Sequence, residues 1–285
     1  MSGFFSAGEI RGLWRRGLIE GTDCSCGTKL TDCDIWARVL ARAGIDPLSQ
    51  ARLNVAAEHE QAAKWIATPW LIRGHKGKRG ATHTYSRRLA SLYCALADVT
   101  EARVVVDSSK NPADAAILAA ADGVSSFYVH LVRDPRAVAF SWRRRKPIKG
   151  GGPRQEMRTY PASRTATRWT GWNLMGEVIR RKNPQRYVVL RYEDFVNDPA
   201  RALRDILALV NEESELPFVQ GTRVKLADHH MVWGNPSRFK RGWIQLKEDD
   251  EWIEQLPLRD MATVTALTVP LLRRYGYPIL VRKRS

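Results

Sequence analysis

Phe127-Tyr-Val-His-Leu-Val-Arg-Asp-Pro-Arg-Ala-Val-Ala-Phe-Ser141 is the stretch that decides the fold. Phe127 to Val132 is an aromatic and β-branched run of strand length. Asp134 before Pro135 then reads as an N-cap and first helical residue, because proline has no N–H to satisfy there. The helix that follows carries Val138 and Trp142 on one face. Similar punctuation recurs on both sides. Upstream, Arg103-Val-Val-Val-Asp107 is a short β-branched run that breaks at Ser108-Ser-Lys-Asn111. Pro112 opens an alanine-rich helix, Ala113 to Ala121, closed near Gly123. Downstream, a helix from about Arg164 to Lys182 places Trp169, Trp172, Met175 and Ile179 at three-to-four spacing, which reads as packing. Arg186-Tyr-Val-Val-Leu190 is a third strand, and Asp198-Pro199 starts a helix through Val210. Strand and helix in alternation at these lengths imply right-handed crossovers and a parallel sheet buried on both faces. With no internal repeat or linker, residues 1–285 are expected to form one domain.

Composition narrows the class. The 285 residues carry 46 Lys and Arg against 30 acids, a formal charge of +16, with 44% hydrophobic residues. That apolar content excludes a disordered polycation. There is no apolar run long enough to cross a bilayer and no charged-then-greasy leader, so neither a membrane span nor export is expected. Four cysteines are too few for a disulfide scaffold, which points to a reducing cytoplasm. Half of the excess charge lies between Arg143 and Arg168, where nine basic residues face one acid, Glu156. Gly150 to Gly152, Pro153 and Pro161 make this a mobile basic loop, about 143–165, able to draw in an anion.

In parallel sheets the ligand crevice lies at the carboxyl ends of the strands. Those turns read Asp107-Ser-Ser-Lys110, Arg133-Asp-Pro-Arg136 and Arg191-Tyr-Glu-Asp194. Hydroxyls and cations beside helix N-termini are the chemistry of a phosphate or sulfate site. Arg133 and Ser141, eight residues on, could reach one anion, the arginine through a fork of donors. The plainer alternative is that Arg133 pairs with an acid and Ser141 fills space.

The segment from Val129 to Ser141 resembles the 3′-phosphate-binding segment of sulfotransferases that use 3′-phosphoadenosine-5′-phosphosulfate (PAPS). Val105-Val-Asp-Ser-Ser-Lys110 looks like the strand-end segment of the bacterial branch, and Leu190-Arg-Tyr-Glu-Asp-Phe195 like the segment whose tyrosine lies near adenine. Asn235-Pro-Ser-Arg-Phe-Lys-Arg-Gly242 is similar to the late basic loop that closes over the 3′-phosphate. Gly8-Glu9, Leu13-Trp-Arg-Arg-Gly-Leu18 and Cys24-Ser-Cys-Gly27 match the same branch. The resemblance implies a P-loop-NTPase-like parallel sheet flanked by helices. It also implies donor contacts from Arg133, Ser141, Tyr192, Arg238, Lys240, Arg241 and Gly242. One element of that family is absent from this sequence: the first strand and the Gly-Arg-Ser-Gly-Ser/Thr loop that wraps the 5′-phosphosulfate. The sheet is therefore expected to be N-terminally incomplete and the reacting end of PAPS to lack its usual cradle. Met1 is read as a start assigned too far downstream, the alternative being a chain that lost the loop. Gly74 to Gly80 and Lys149 to Pro153 are glycine-rich and basic, but neither sits between a strand and a helix.

The implied reaction is sulfuryl transfer from PAPS, the co-substrate, to a hydroxyl or amine of a small-molecule, glycan or lipid acceptor. Its anionic transition state requires positioning and charge stabilisation. Lys110 is the candidate to offset charge on the leaving nucleotide, and Asp107 or Glu9 the candidate general base for the acceptor. No divalent metal is required. His130, inside a strand, is expected to be a core histidine, while His229 and His230 precede the late loop and could face the pocket. Trp233 and Trp243 bracket that loop and could pack on adenine. Trp14 is expected to anchor an amphipathic N-terminal helix. Cys24, Cys26 and Cys33 admit three readings: buried thiols, a transient disulfide, or the start of a zinc site with an unusual spacing. No metal is assigned. Two other functions fit parts of the sequence, a non-catalytic nucleotide-binding relative and a basic nucleic-acid-binding protein. Against the latter, the arginines stand singly at strand ends and no nucleic-acid-binding motif occurs.

Overall fold

A computed structural model describes residues 3–64, 69, 71, 81–144 and 159–281. The chain forms two compact units, Met1–Ser126 with Leu226–Gly242, and Phe127–Lys225 with Trp243–Ser285. The class is α/β with parallel strand pairs, as the alternating pattern requires.

In the first unit, β1 (Phe4–Gly8) runs parallel to β2 (Val104–Asp107), from Phe4 opposite Val104 to Gly8 opposite Asp107. The sequence reading has no strand before residue 103. Phe4 to Gly8 lacks a β-branched run and takes its conformation from pairing with Val104 to Asp107. Gly8 ends it with φ +78°, and a Cβ there would lie 2.5 Å from the Trp233 carbonyl oxygen, so only glycine fits. The N-terminal helix around Trp14 is a π-helix, Leu13–Ile19, and the buried Trp14 indole donates to the Tyr85 hydroxyl at 2.9 Å. The α-helices α1 (Asp34–Arg42), α2 (Ala51–Ala62), α3 (Ala81–Thr100) and α4 (Pro112–Leu118) follow among the described residues. Trp14, Trp36, Leu89, Leu92, Leu96 and Ile117 form their shared core. Truncating Leu92, which is fully buried, would cost roughly 2–5 kcal/mol.

In the second unit, β3 (Tyr128–Val132) and β4 (Tyr187–Arg191) pair in parallel without a break in register. Its helices are α5 (Pro135–Arg143), α6 (Ala162–Lys182), α7 (Tyr192–Asn197), α8 (Pro199–Leu209), α9 (Glu251–Gln255) and α10 (Leu258–Arg274). Val132, Trp169, Leu271, Leu272 and Tyr275 make one core cluster, and Ala137, Phe140, Trp252 and Leu256 another. A hairpin of β5 (Val219–Gln220) and β6 (Arg223–Leu226) is joined by β7 (Gly242–Gln245). His130 is a core histidine: Nε2 lies 2.9 Å from Asn173 Oδ1, burial holds its pKa down, and Tyr187 and Tyr275 stand edge-on to it.

The expectation of strands buried on both faces is corrected. Val129 and Leu131 are 45% and 52% exposed, while the alternate residue Val132 is buried. Period-two alternation puts His130 and Val132 on the face that Asn173 and Trp169 of α6 cover, and the described residues leave the other face half open. No helix among the described residues is long and apolar enough to cross a membrane. The glycine-rich segments 74–80 and 149–153, and residues 145–158 of the basic loop, lie outside the described residues.

Candidate functional site

At the end of β2, Asp107 organises the turn. Its Oδ1 accepts from the backbone N–H of Ser109 at 2.8 Å and of Ile10 at 3.2 Å, and its Oδ2 from the Tyr93 hydroxyl at 2.6 Å. Burial pushes its carboxyl above the usual range, against the pull of those hydrogen bonds. With both oxygens engaged, Asp107 acts as a clamp that joins β1's exit to β2's exit. The clamp presents an ion pair between Lys110 and Glu9, in which the lysine head is the more exposed partner. Asn111 then caps α4 by accepting from Ala113 N at 3.0 Å.

At the end of β3 the polarity reverses. The Arg133 guanidinium lies over the Tyr192 ring, 4.8 Å from its centroid, which brings together a strand-end arginine and the tyrosine that opens α7. Its Nη2 donates to Asp249 Oδ2 at 2.8 Å, and its buried Nε has no hydrogen-bond partner among the described residues. The backbone is fixed too, since Trp169 Nε1 donates to the Arg133 carbonyl at 3.0 Å. Ser141 is half-buried on α5, six residues past Pro135, or about 9 Å along the axis.

Helix N-termini contribute less than expected. Asp134 caps α5 by accepting from Arg136 N at 2.8 Å, and it also holds the fully buried Arg136 side chain, Nε at 2.9 Å and Nη2 at 2.6 Å. A carboxylate thus already occupies that helix end, where an anion was expected to sit. Two residues that the sequence reading missed hold the corner. Glu193 accepts from Asp134 N at 3.1 Å and from the Tyr277 hydroxyl at 2.6 Å, and Asp249 pairs with Arg133. Only the acidic run Glu248 to Glu251 hinted at the latter.

The late loop belongs to the first unit. Arg238 is buried between the rings of Trp233, at 5.1 Å, and Phe239, at 4.3 Å. It donates to the carbonyls of Gly234 at 2.9 Å and Asp23 at 3.3 Å. Arg241 donates to Asp228 at 2.8 Å and to the Ser25 carbonyl at 2.7 Å. Arg238 Nη1 and Nη2 and Arg241 Nη2 thus bond backbone carbonyls of this unit, while the buried Arg238 Nε has no hydrogen-bond partner among the described residues. Lys240 is exposed and makes no ion pair among the described residues, and Gly242 turns with φ +77° into β7. Of the two tryptophans that could pack on adenine, Trp233 carries Arg16 and Arg238 against its ring and Trp243 carries Arg223. His229 directs its ring nitrogens at the carbonyls of Ala227, 2.8 Å, and Arg238, 2.6 Å.

Two solved structures are similar to this chain. The sulfotransferase domain of the Synechococcus PCC 7002 olefin synthase is 17% identical, over 96% of this chain and 94% of that one, with a TM-score of 0.49. The sulfotransferase domain from the curacin biosynthetic pathway is also 17% identical, over 96% and 97%, with a TM-score of 0.43. Among curated proteins no sequence match is found. The model of the Sulfotransferase family matches residues 39–215, a span that includes Asp107, Lys110, Arg133, Ser141 and Tyr192, and this chain belongs to that family.

Proposed function

We propose that the chain transfers a sulfuryl group from PAPS to a hydroxyl or amine of a small-molecule, glycan or lipid acceptor. The observation that carries this reading is the Arg133 corner. A buried guanidinium N–H without a partner costs about 1–3 kcal/mol, and a ligand oxygen there would recover it as a charge-assisted bond. Arg133 and Ser141 are assigned to the 3′-phosphate and Tyr192 to the nucleoside beside it. PAPS supplies the activated sulfuryl group; the chain's residues supply charge and orientation. Lys110 offsets negative charge on the leaving nucleotide. Its partner Glu9 is assigned as the base that takes the acceptor's proton. Asp107, the other acid considered from sequence, is assigned a positioning role because its lone pairs hold the turn. The protein's own cations serve the sulfuryl and phosphate charges, so the reaction draws on no divalent metal.

Isothermal titration with adenosine 3′,5′-bisphosphate and adenosine 5′-monophosphate tests the assignment. One charge-assisted contact predicts a preference of roughly 10- to 100-fold for the bisphosphate, erased in Arg133→Ala. Equal affinities in the unaltered chain would sink the reading. Transfer of label from radioactive PAPS to an acceptor panel then tests the reaction itself.

A further inference from the structure

The first unit gathers a cluster that the transfer chemistry does not use. The Sγ atoms of Cys24, Cys26 and Cys33 and a ring nitrogen of His230 all lie within 4.8 Å of one another. His230 Nδ1 is 3.2 Å from Cys33 Sγ and 3.9 Å from Cys24 Sγ. Around tetrahedral zinc, with Zn–S near 2.3 Å and Zn–N near 2.0 Å, neighbouring ligand atoms stand about 3.5–3.8 Å apart. The two separations bracket that range. We propose that Cys24, Cys26, Cys33 and His230 bind one zinc ion in a closed structural site.

Hydrogen bonds around the cluster hold its backbone in place, as the groups behind metal ligands commonly do. Cys24 and Cys26 sit on a turn in which Cys24 N donates to Thr28 O at 2.9 Å and Gly27 takes φ +100°. Between them, Ser25 grips both neighbours of His230: its hydroxyl donates to the His229 carbonyl and accepts from Met231 N, each at 2.7 Å. The Trp36 indole holds the His230 carbonyl at 2.7 Å, and Cys33 stands at the N-cap of α1. Thr28 Oγ1 lies 3.2 Å from Cys26 Sγ. Three thiolates, one imidazole and Zn²⁺ sum to one negative charge. Arg241 and Arg238, hydrogen-bonded to the carbonyls of Ser25 and Asp23, stand where they offset it. This explains why two arginines expected on a phosphate turn towards the cysteine turn instead.

Four protein ligands leave no open position, so the ion is structural. It would tie the returning segment Leu226–Gly242 to the N-terminal turn within one unit. Because the thiolate is the form that binds zinc, the three thiols give up their protons to solvent when the cation enters. A disulfide would use two sulfurs and leave the third thiol and the imidazole facing them. All four cysteines are free thiols. None of the four ligands falls within residues 39–215, so the family match does not bring this site with it.

The test uses the full chain purified without chelators. Elemental analysis is expected to give one zinc per chain. Replacement by Co²⁺ is expected to give the visible bands of a tetrahedral ion together with near-ultraviolet thiolate-to-cobalt charge transfer. Cys26→Ser, at the exposed ligand, reduces that charge transfer and speeds zinc loss to a chelator at least tenfold, whereas Cys94→Ser, outside the cluster, leaves both unchanged. Absence of zinc and of cobalt bands in folded protein would overturn the site, as would a mass-mapped disulfide among Cys24, Cys26 and Cys33. Identical cobalt spectra in Cys26→Ser and the unaltered chain would overturn it equally.

Discussion

At the end of β2 a carboxylate gathers donors; at the end of β3 a guanidinium gathers acceptors and is left one short. Asp107 takes two backbone N–H groups and a tyrosine hydroxyl. Arg133 has Asp249 and the Tyr192 face, with Nε unpartnered among the described residues. Both corners follow a parallel strand and precede a helix whose first turn is capped by a side chain, Asn111 in one and Asp134 in the other. Same architecture, opposite electrostatics. A corner whose polar groups are satisfied holds its own shape, and a corner with a donor in reserve can hold something else.

The largest effect expected from breaking this contrast lies beneath the open corner. Arg136 is fully buried, bonded by two nitrogens to Asp134 and donating to the carbonyls of Pro278 at 2.8 Å and Ile279 at 3.2 Å. Removing one partner of a buried ion pair leaves the other charge uncompensated, at about 3–5 kcal/mol. Arg136→Ala should therefore lower the unfolding free energy by that amount, read as a fall in the urea midpoint. An unchanged midpoint would mean that Asp134 does not depend on this pairing and that the corner is not built on it.

A smaller effect separates Arg133's resident acid from its proposed ligand. Asp249 competes for the guanidinium that a 3′-phosphate would take. The pair is partly exposed, so its worth is at most about 1 kcal/mol. Asp249→Asn should tighten adenosine 3′,5′-bisphosphate binding by up to about fivefold and leave 5′-monophosphate binding unchanged. Weakened binding would make Asp249 a support of the site instead of a competitor.

Much of the open corner was legible in sequence, and the reason is local. Asp134-Pro135 and Asp198-Pro199 define helix starts within two residues, and the runs before Asp107, Arg133 and Arg191 are strands with boundaries within one residue of those read. Contacts set by the return of the chain were not legible. Arg133 meets Asp249 across 116 positions, and Cys33 meets His230 across 197. No periodicity records such distances. Phe4 to Gly8 is a strand only because β2 lies beside it, so its sequence shows little strand character alone. The late loop has contacts of the same kind: Arg238 and Arg241 donate to the carbonyls of Asp23 and Ser25, 215 and 216 positions upstream.

The closed corner offers the subtlest test, through pH. Burial raises the Asp107 pKa above that of an unfolded aspartate. Between the two values the folded chain keeps a proton that the unfolded chain has released. Stability therefore falls as pH rises through that window, and the contribution is constant above it. Most carboxylates behave in the opposite sense, gaining stability over the same range when their native pKa is depressed, so the signature is a difference between two curves. Denaturant midpoints of the unaltered chain and of Asp107→Asn, measured from the ordinary carboxylate range upward, should diverge in slope across the window and run parallel beyond it. Asparagine keeps an oxygen for Ser109 and Ile10 but turns an amide towards the Tyr93 hydroxyl, which can reverse its role and accept. Parallel curves throughout would show that Asp107 titrates as an exposed acid does. The clamp joining the exits of β1 and β2 would then be weaker than its three hydrogen bonds imply, and the contrast with the Arg133 corner would narrow accordingly.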